Sequence, residues 1–238
     1  MAQVINTNVS ALFGGAALNK SATALQVAME RLSSGKRINS AKDDATGMVT
    51  ASGYEKTMRG ANIAARNAAD GISEAQINDG YHAQVYENLQ RIREIAVQLG
   101  GTASGAEFTA LAAENTRLLG LASNSSAKVI GADGATASVA GTKATITGTG
   151  AIATIDADIT AVTTARASYG ADMAKYQSAV TNLQTLSVNT AAAYSRVMDT
   201  DYAAETTAMT RNMILQQAGT AMLAQANQIP NNVLSLLR

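Results

Sequence analysis

The chain has 238 residues, with 18 basic and 18 acidic side chains, one histidine and no cysteine. This composition excludes a disulfide framework and any metal site that needs thiolates or two histidines, and the neutral charge balance gives no electrostatic basis for binding nucleic acid. Apolar residues form 47 % of the chain but aromatic residues only 4 %, so we expect an aliphatic core of closely packed helices.

The N-terminal segment lacks the pattern of a secretion signal. Residues 1–20 read MAQVINTNVSALFGGAALNK, without a basic stretch before an apolar one. No window of the sequence approaches 18 consecutive apolar residues, so we expect no insertion into a membrane. If the protein leaves the cell, we expect it to use a route that needs no cleaved signal peptide.

The first predicted helix carries apolar or small residues spaced alternately four and three apart. They are Leu18, Ala22, Leu25, Met29 and Leu32. Gly35 follows this stripe and is predicted to close the helix in the left-handed conformation. Ser40 stands three residues before Asp43 and is predicted to cap the next helix.

The second and third predicted helices are separated by a pair of glycines. Residues 85–99 repeat the alternation of four and three, and Gly100 and Gly101 end that helix. A third helix, rich in alanine and leucine, is predicted to run from near Ser104 to near Ser123.

The centre of the chain, about residues 127–150, is rich in glycine, threonine and alanine. Short β-permissive runs at Lys128–Ile130, Ala137–Ala140 and Lys143–Thr147 alternate with glycine-bearing turns, which predicts one or two small hairpins. A flexible linker is the alternative.

The strongest periodicity lies in the second half, where apolar residues recur every seven positions. They are Ile155, Val162, Tyr169, Tyr176 and Leu183. This spacing predicts the seam of a coiled coil that packs against the first half of the chain. The fold class is therefore mainly α, a long antiparallel coiled coil or helical bundle with a small β-hairpin region at the centre of the chain.

Residues that could carry catalysis are scarce. His82 has no titrating partner in the sequence, so we expect a solvated helix residue and not a general base. The acids Asp43, Asp44, Asp199 and Asp201 lie beside predicted helix ends, where capping explains them better than chemistry. No nucleophile elbow, phosphate-binding loop or dinucleotide-binding glycine motif occurs, so we expect no enzyme and no catalytic, cofactor or metal site.

Both ends of the chain are amphipathic but too weakly apolar to fold alone. The last ten residues carry the apolar side chains of Ile229, Val233, Leu236 and Leu237. Such ends either dock on one another or wait for a partner that buries them. This feature indicates assembly.

Several blocks of the sequence resemble the two conserved regions of bacterial flagellins. MAQVINTN, RLSSGKRINSAKDDATG, RNAADGISEAQ and NLQRIREIAVQ resemble the N-terminal region, and SRVMDTDYAAE and ILQQAGTAMLAQANQIPNNVLSLLR the C-terminal region. The resemblance covers roughly residues 1–120 and 155–238.

The resemblance implies a subunit that polymerises into the flagellar filament for swimming motility and lies outside the cell. It implies export of the unfolded chain through the flagellar type III channel, a flagellin chaperone, and contacts with hook-associated junction and cap proteins. Residues 1–40 and 196–238 would form the inner domain of the filament core, and residues 41–195 a helical bundle. The residues expected to carry assembly are the seam and the apolar terminal positions: Leu18, Leu25, Leu32, Ile155, Val162, Tyr169, Tyr176, Leu183, Ile229, Val233, Leu236 and Leu237.

The same resemblance implies recognition by a host Toll-like receptor. The matching positions are Gln90, Arg91, Glu94 and Ile95, with Glu114 on the partner helix, and Ile95 would be the apolar anchor. The alternative is that these are ordinary helix residues that serve subunit packing.

Two other functions compete with a filament subunit. A hook–filament junction protein has related terminal helices, and a cytoplasmic signalling coiled coil is also rich in alanine and antiparallel. A flagellin with a central metalloprotease is excluded, because His82 is the only histidine and the centre is short.

Overall fold

A computed structural model of the chain describes residues 7–123, 128–129, 131–132, 136–137 and 141–235. Over this part the chain is mainly helical, as predicted. Its elements in order are α1 (Val9–Ser34), α2 (Ala45–Gln98), α3 (Ala106–Leu121), β1 (Lys128–Val129), β2 (Thr136–Ala137), α4 (Ile152–Met198) and α5 (Tyr202–Ser235).

The backbone contacts divide the chain into two compact units. The terminal unit consists of Met1–Gly53 with Ala192–Arg238, and the central unit consists of Tyr54–Ala191. The long helices α2 and α4 contribute residues to both units.

In the central unit, α2 and α4 run antiparallel. Arg93 pairs with Asp156 at 2.7 Å, Asp79 with Arg166 at 2.9 Å, and Asn62 accepts a hydrogen bond of 2.9 Å from Ser187. Residue numbers therefore rise along α4 as they fall along α2, which is the order of an antiparallel pair.

The seven-residue repeat of α4 forms the core of the central unit, as the spacing predicted. Ile155, Val162, Tyr169, Tyr176 and Leu183 are all buried, and the cluster around the first three includes Val85, Leu89 and Ile92 of α2. The helix α3 joins α2 through a buried hydrogen bond of 2.8 Å from the Asn88 amide to the Asn115 carbonyl. These residues are enclosed by their own chain, so their primary role is to hold the unit together.

The predicted hairpin region is only partly seen. β1 and β2 pair antiparallel, with Lys128 opposite Ala137 and Val129 opposite Thr136. Two residue pairs do not establish a hairpin, and Ile130 and residues 138–140 of the predicted strands lie outside the described residues.

The third predicted strand, Lys143–Thr147, is wrong. Residues 141–150, the central arm, are irregular. The N–H of Ala144 donates to His82 Nε2 at 3.0 Å, and the N–H of Thr147 donates to Asp158 Oδ1 at 2.9 Å. These backbone N–H groups therefore donate to side chains of α2 and α4 and are not available to pair with a neighbouring strand. This explains why a β-permissive sequence does not form a strand here.

A glycine allows one close contact between α2 and α4. A Cβ atom at Gly71 would lie 2.7 Å from the ring of Tyr176, whereas a Cβ atom at Gly80 would meet nothing within 4 Å. Both glycines lie inside α2. They differ in packing and share the same secondary structure.

We therefore expect Gly71→Ala to lower the free energy of unfolding by about 1–2 kcal/mol, because overpacking costs more than alanine gains in helix propensity. The matched variant Gly80→Ala should raise it by up to about 1 kcal/mol. Urea unfolding followed by far-ultraviolet circular dichroism measures both, and a stabilising Gly71→Ala would contradict the observed packing.

Candidate functional site

The terminal unit is built on an antiparallel pair of helices from the two ends of the chain. Near the start of α1, the amide of Asn8 donates to the carbonyl oxygen of Ala226 at 2.9 Å. Near its end, Arg31 lies 3.7 Å from the carboxylate of Glu205. The contacts at both ends of α1 place it alongside α5 over most of its length.

Small residues let these two helices approach closely. A Cβ atom at Gly219 would lie 3.2 Å from Leu18 Cδ1, and one at Gly14 would lie 3.4 Å from Leu223 Cδ1. Leu18 is half-buried, as are Leu25 and Leu32 of the predicted stripe. The two helices thus lie close together, but the contact between them covers these leucines only in part.

Large apolar side chains of both helices face solvent. Phe13 is 79 % exposed and Ile214 is 60 % exposed. Seven of these side chains are Val9, Leu12 and Phe13 of α1 and Met213, Ile214, Leu215 and Met222 of α5. Met29 of α1, a residue of the predicted stripe, and Tyr202 of α5 are exposed as well. Ile214 and Leu215 also line a groove of about 470 Å³ with Thr206, Thr207, Thr210 and Arg211. We call Val9, Leu12, Phe13, Met213, Ile214, Leu215 and Met222 the exposed apolar set.

An apolar surface of this kind favours a partner that covers it. Burial of apolar area is worth about 25 cal/mol per Å², and soluble monomers rarely leave large apolar patches in water.

Among the helices that the structure describes, none has the length and apolar character needed to cross a membrane.

The loops that flank the terminal helices pair with one another. The N–H of Arg37 donates to Met198 O at 2.6 Å, and the N–H of Thr200 donates to Gly35 O at 3.0 Å. The Arg37 guanidinium also donates to Val197 O at 2.9 Å and so satisfies a carbonyl at the end of α4. The pairing of these two segments could not be predicted from the sequence, because irregular loops carry no periodic signal.

The paired acids cap helices, as expected for Asp44 and Asp201. Asp44 accepts a hydrogen bond of 2.8 Å from Gly47 N at the start of α2, and Asp201 accepts one of 2.9 Å from Ala203 N at the start of α5. The prediction that Ser40 caps α2 is wrong, because that helix begins at Ala45 and it is the Asp44 carboxylate that accepts from an N–H of its first turn, that of Gly47.

Asp43 instead closes the turn before α2. Its carboxylate accepts hydrogen bonds from Ser40 N at 2.9 Å and Asn39 N at 3.1 Å. These N–H groups of Ser40 and Asn39 hold the pKa of Asp43 below its usual value. The role is structural, since the carboxylate is already occupied by its own turn.

Arg91 lies at the centre of a small group of exposed charges. Its guanidinium donates to Glu107 of α3 at 2.8 Å and to Glu94 at 3.0 Å, and these two carboxylates raise its pKa. Gln90 and Glu94 border a surface hollow next to it. The structure therefore brings together three of the five residues that the resemblance assigns to a receptor.

The other two residues of that group are placed differently. Ile95 is only 7 % exposed and belongs to the core cluster of the central unit, so its assignment as an apolar surface anchor is wrong: its side chain points to the face that α2 buries. Glu114 pairs with Arg117 of its own helix at 2.6 Å, which lowers the pKa of Glu114.

His82 is buried, which corrects the expectation of a solvated residue. Its ring is fully enclosed, 5.2 Å from the ring of Tyr169, and both nitrogens have partners. Nδ1 lies 2.7 Å from Asn78 O, and Nε2 accepts from Ala144 N. The central arm covers this histidine, and the arm has no periodicity from which burial could be predicted.

The last expected assembly residues are seen in part. Ile229 and Val233 lie within α5, whereas Leu236 and Leu237 lie outside the described residues. Over the part of the chain that was searched, no three His, Cys, Asp or Glu side chains group as metal ligands.

Comparisons with known proteins match the helices on both sides of the central arm. The family model of the bacterial flagellin N-terminal helical region matches residues 5–126, and that of the C-terminal helical region matches residues 152–237. A flagellar filament 33 kDa core protein of Treponema phagedenis is 33 % identical over 99 % of this chain and 100 % of its own length.

Two flagellins are also similar. One from Xenorhabdus nematophila is 35 % identical over 100 % of both chains. One from Salmonella muenchen is 51 % identical over 120 residues, which is 50 % of this chain and 24 % of that protein.

The capping role of Asp201 leads to a local prediction. Asp201→Ala should increase hydrogen exchange of the first amides of α5 about fivefold, because loss of an N-cap costs about 1 kcal/mol. Asp199→Ala is the matched control, since Asp199 is exposed and joins Lys36 only through its backbone. If mass spectrometry finds equal exchange rates in the two variants, Asp201 does not cap α5.

Proposed function

The chain belongs to the bacterial flagellin family and is a structural subunit of the flagellar filament, and from this premise we propose that copies of the chain meet through the terminal helices. One observation carries the proposal: the antiparallel pair α1–α5 leaves the exposed apolar set in solvent. Further copies of the same chain are the partner that we propose to cover it, and the filament outside the cell is the proposed location.

Helical growth suits the asymmetry of these surfaces. A filament needs heterologous contacts, in which one face of a subunit meets a different face of the next, so that the array never closes. The exposed residues of α1 and the groove on α5 differ in shape and sequence. This difference supports contacts in which one face of a subunit meets a different face of the next.

The two units suit different tasks in such a filament. We assign the terminal helices, residues 1–40 and 196–238, to the inner filament core, since they carry the apolar surface that needs covering. We assign residues 41–195 to a surrounding helical bundle, with a hairpin region at about residues 127–150. The buried seam of α4 supports this assignment, because that part has a core of its own.

Export as an unfolded chain is part of the proposal. The sequence has no cysteine, so no disulfide would hold a fold that must open before passage through a narrow channel. A flagellin chaperone would cover the apolar ends before export, and junction and cap proteins would meet the ends of the filament. No enzymatic step is needed for any of these roles.

Recognition by a host Toll-like receptor is a second proposal, and it is confined to the exposed charges. Arg91, Glu94 and Gln90 form its surface, and Glu114 with Arg117 extends the charged face along α3. The ion pairs among these residues are exposed, so a partner can replace them at little cost.

Assembly is tested with Phe13→Ser. Full burial of a phenylalanine stabilises a contact by about 1.5–3 kcal/mol, so we expect the critical concentration for polymerisation to rise at least about tenfold. The unfolding midpoint of the monomer should stay unchanged, because Phe13 is exposed there. Seeded growth followed by negative-stain electron microscopy gives the critical concentration.

The matched control is Asn19→Ser, at an exposed polar position of the same helix. It should polymerise like the parent chain. Unchanged growth of Phe13→Ser would contradict the role of the exposed apolar set. If the parent chain stays monodisperse with every seed, the junction protein or the signalling coiled coil becomes the better interpretation.

The receptor proposal has a separate test. Arg91→Ala should lower the potency of receptor activation about tenfold, which corresponds to about 1.4 kcal/mol, and should leave filament growth unchanged. Arg59→Ala is the control, because Arg59 also pairs with a carboxylate of its own helix, Glu55. Equal potency of the two variants in a receptor reporter assay would exclude Arg91 from the contact.

A further inference from the structure

The central arm is held to the helices by two buried titratable side chains. His82 Nε2 accepts from Ala144 N at 3.0 Å. Asp158 accepts from Thr147 N at 2.9 Å, from Thr147 Oγ1 at 3.1 Å and from Gly148 N at 3.3 Å. Both side chains are buried, so these hydrogen bonds lie in surroundings where an unmade bond is costly.

The hydrogen bonds of His82 define its protonation state. Nδ1 lies 2.7 Å from Asn78 O, and a carbonyl oxygen can only accept, so Nδ1 carries the proton. Nε2 faces the N–H of Ala144 and must offer a lone pair. If Nε2 also carried a proton, the N–H of the ring would face the N–H of Ala144. Two donors cannot form a hydrogen bond, so the arm would lose its contact with His82.

The hydrogen bonds of Asp158 also depend on its protonation state, and they favour the charged form. Its two oxygens accept from three donors of the arm, and an ionised carboxylate accepts such hydrogen bonds more strongly than a protonated one. Protonation turns one oxygen into a donor and weakens the acceptors. The docked arm therefore needs a free lone pair on His82 Nε2 and is held most strongly by an ionised Asp158, so proton uptake breaks the first contact and weakens the second.

The neighbouring titratable groups are engaged elsewhere. On α4 the ring of Tyr169 faces His82, and its hydroxyl donates to Ser123 O at 2.9 Å. On α2 Asp79 pairs with Arg166, and Arg93 pairs with Asp156. From the arm itself, Lys143 donates to Leu119 O at the end of α3 at 3.3 Å.

We propose that the central arm is an acid-released strap: proton uptake by His82 and Asp158 frees residues 141–150 and uncovers the core beneath them. Ala144 belongs to that core, and Ile146 packs against it. Release is local, because the helix contacts around Tyr176 use neither side chain. The proposal is independent of polymerisation.

A cysteine reporter tests this strap, since the chain has no cysteine of its own. Ala144→Cys places a thiol at a buried position of the arm, and Ala68→Cys places one in the cluster around Tyr176. Each full-length monomer is treated with 4,4′-dithiodipyridine at intervals from about pH 8 to about pH 4, a range that includes the titration of free histidine and approaches that of free aspartate. Dividing by the rate of the same variant in denaturant at the same pH removes the effect of thiol ionisation.

We expect the relative reactivity of the Ala144→Cys thiol to rise at least tenfold as the pH falls, at values where the Ala68→Cys thiol stays protected. In the Ala144→Cys background, His82→Phe keeps a ring but removes the acceptor, so the arm should be open at pH 8. His82→Gln keeps a non-titrating acceptor, so it should shift release to lower pH. The strap is overturned if the thiol in the arm stays protected until the thiol in the Tyr176 cluster reacts, or if His82→Phe is as protected as the parent at pH 8.

Discussion

The pairing of two helices from opposite ends of the chain is the constraint on which the terminal unit depends. To bring α1 and α5 together, the chain closes a loop of most of its length, and the entropic cost of closure grows with loop length. The stabilisation within one chain is small, because Ser21 and Ala28 are the buried residues of α1 while Phe13 and Leu12 stay exposed. A pair with so little enclosed surface is stabilised most when other molecules cover it.

The central unit has the opposite balance. Its seam residues, such as Val162 and Tyr169, are fully enclosed, and buried amides join α2 to α3. A core of this kind stabilises the unit without a partner. The central unit thus has a core of its own, whereas the terminal unit leaves apolar side chains exposed. This difference suits a subunit that is folded as a monomer before it polymerises.

The sequence predicted the helices and the core well because both depend on periodicity. Spacing by seven placed Tyr169 and Tyr176 in the core, and the glycine at position 35 ended α1. Prediction failed where an irregular segment decides the outcome. His82 was expected in solvent because its cover is the non-periodic central arm, and Ile95 was placed on the surface because a motif match gives a position along a helix but not the face that packs.

The helices hold the central arm mainly through its backbone. The family models match residues 5–126 and 152–237 and leave the arm between them. The side chains that hold it, His82 and Asp158, lie within the matched regions, whereas their partners are mostly backbone N–H groups of the arm. Every residue except proline supplies such a group. These hydrogen bonds therefore place few demands on the side chains of the arm, and its sequence is restricted instead by the close approach of Gly150 to Ala103 O and by the burial of Ala144.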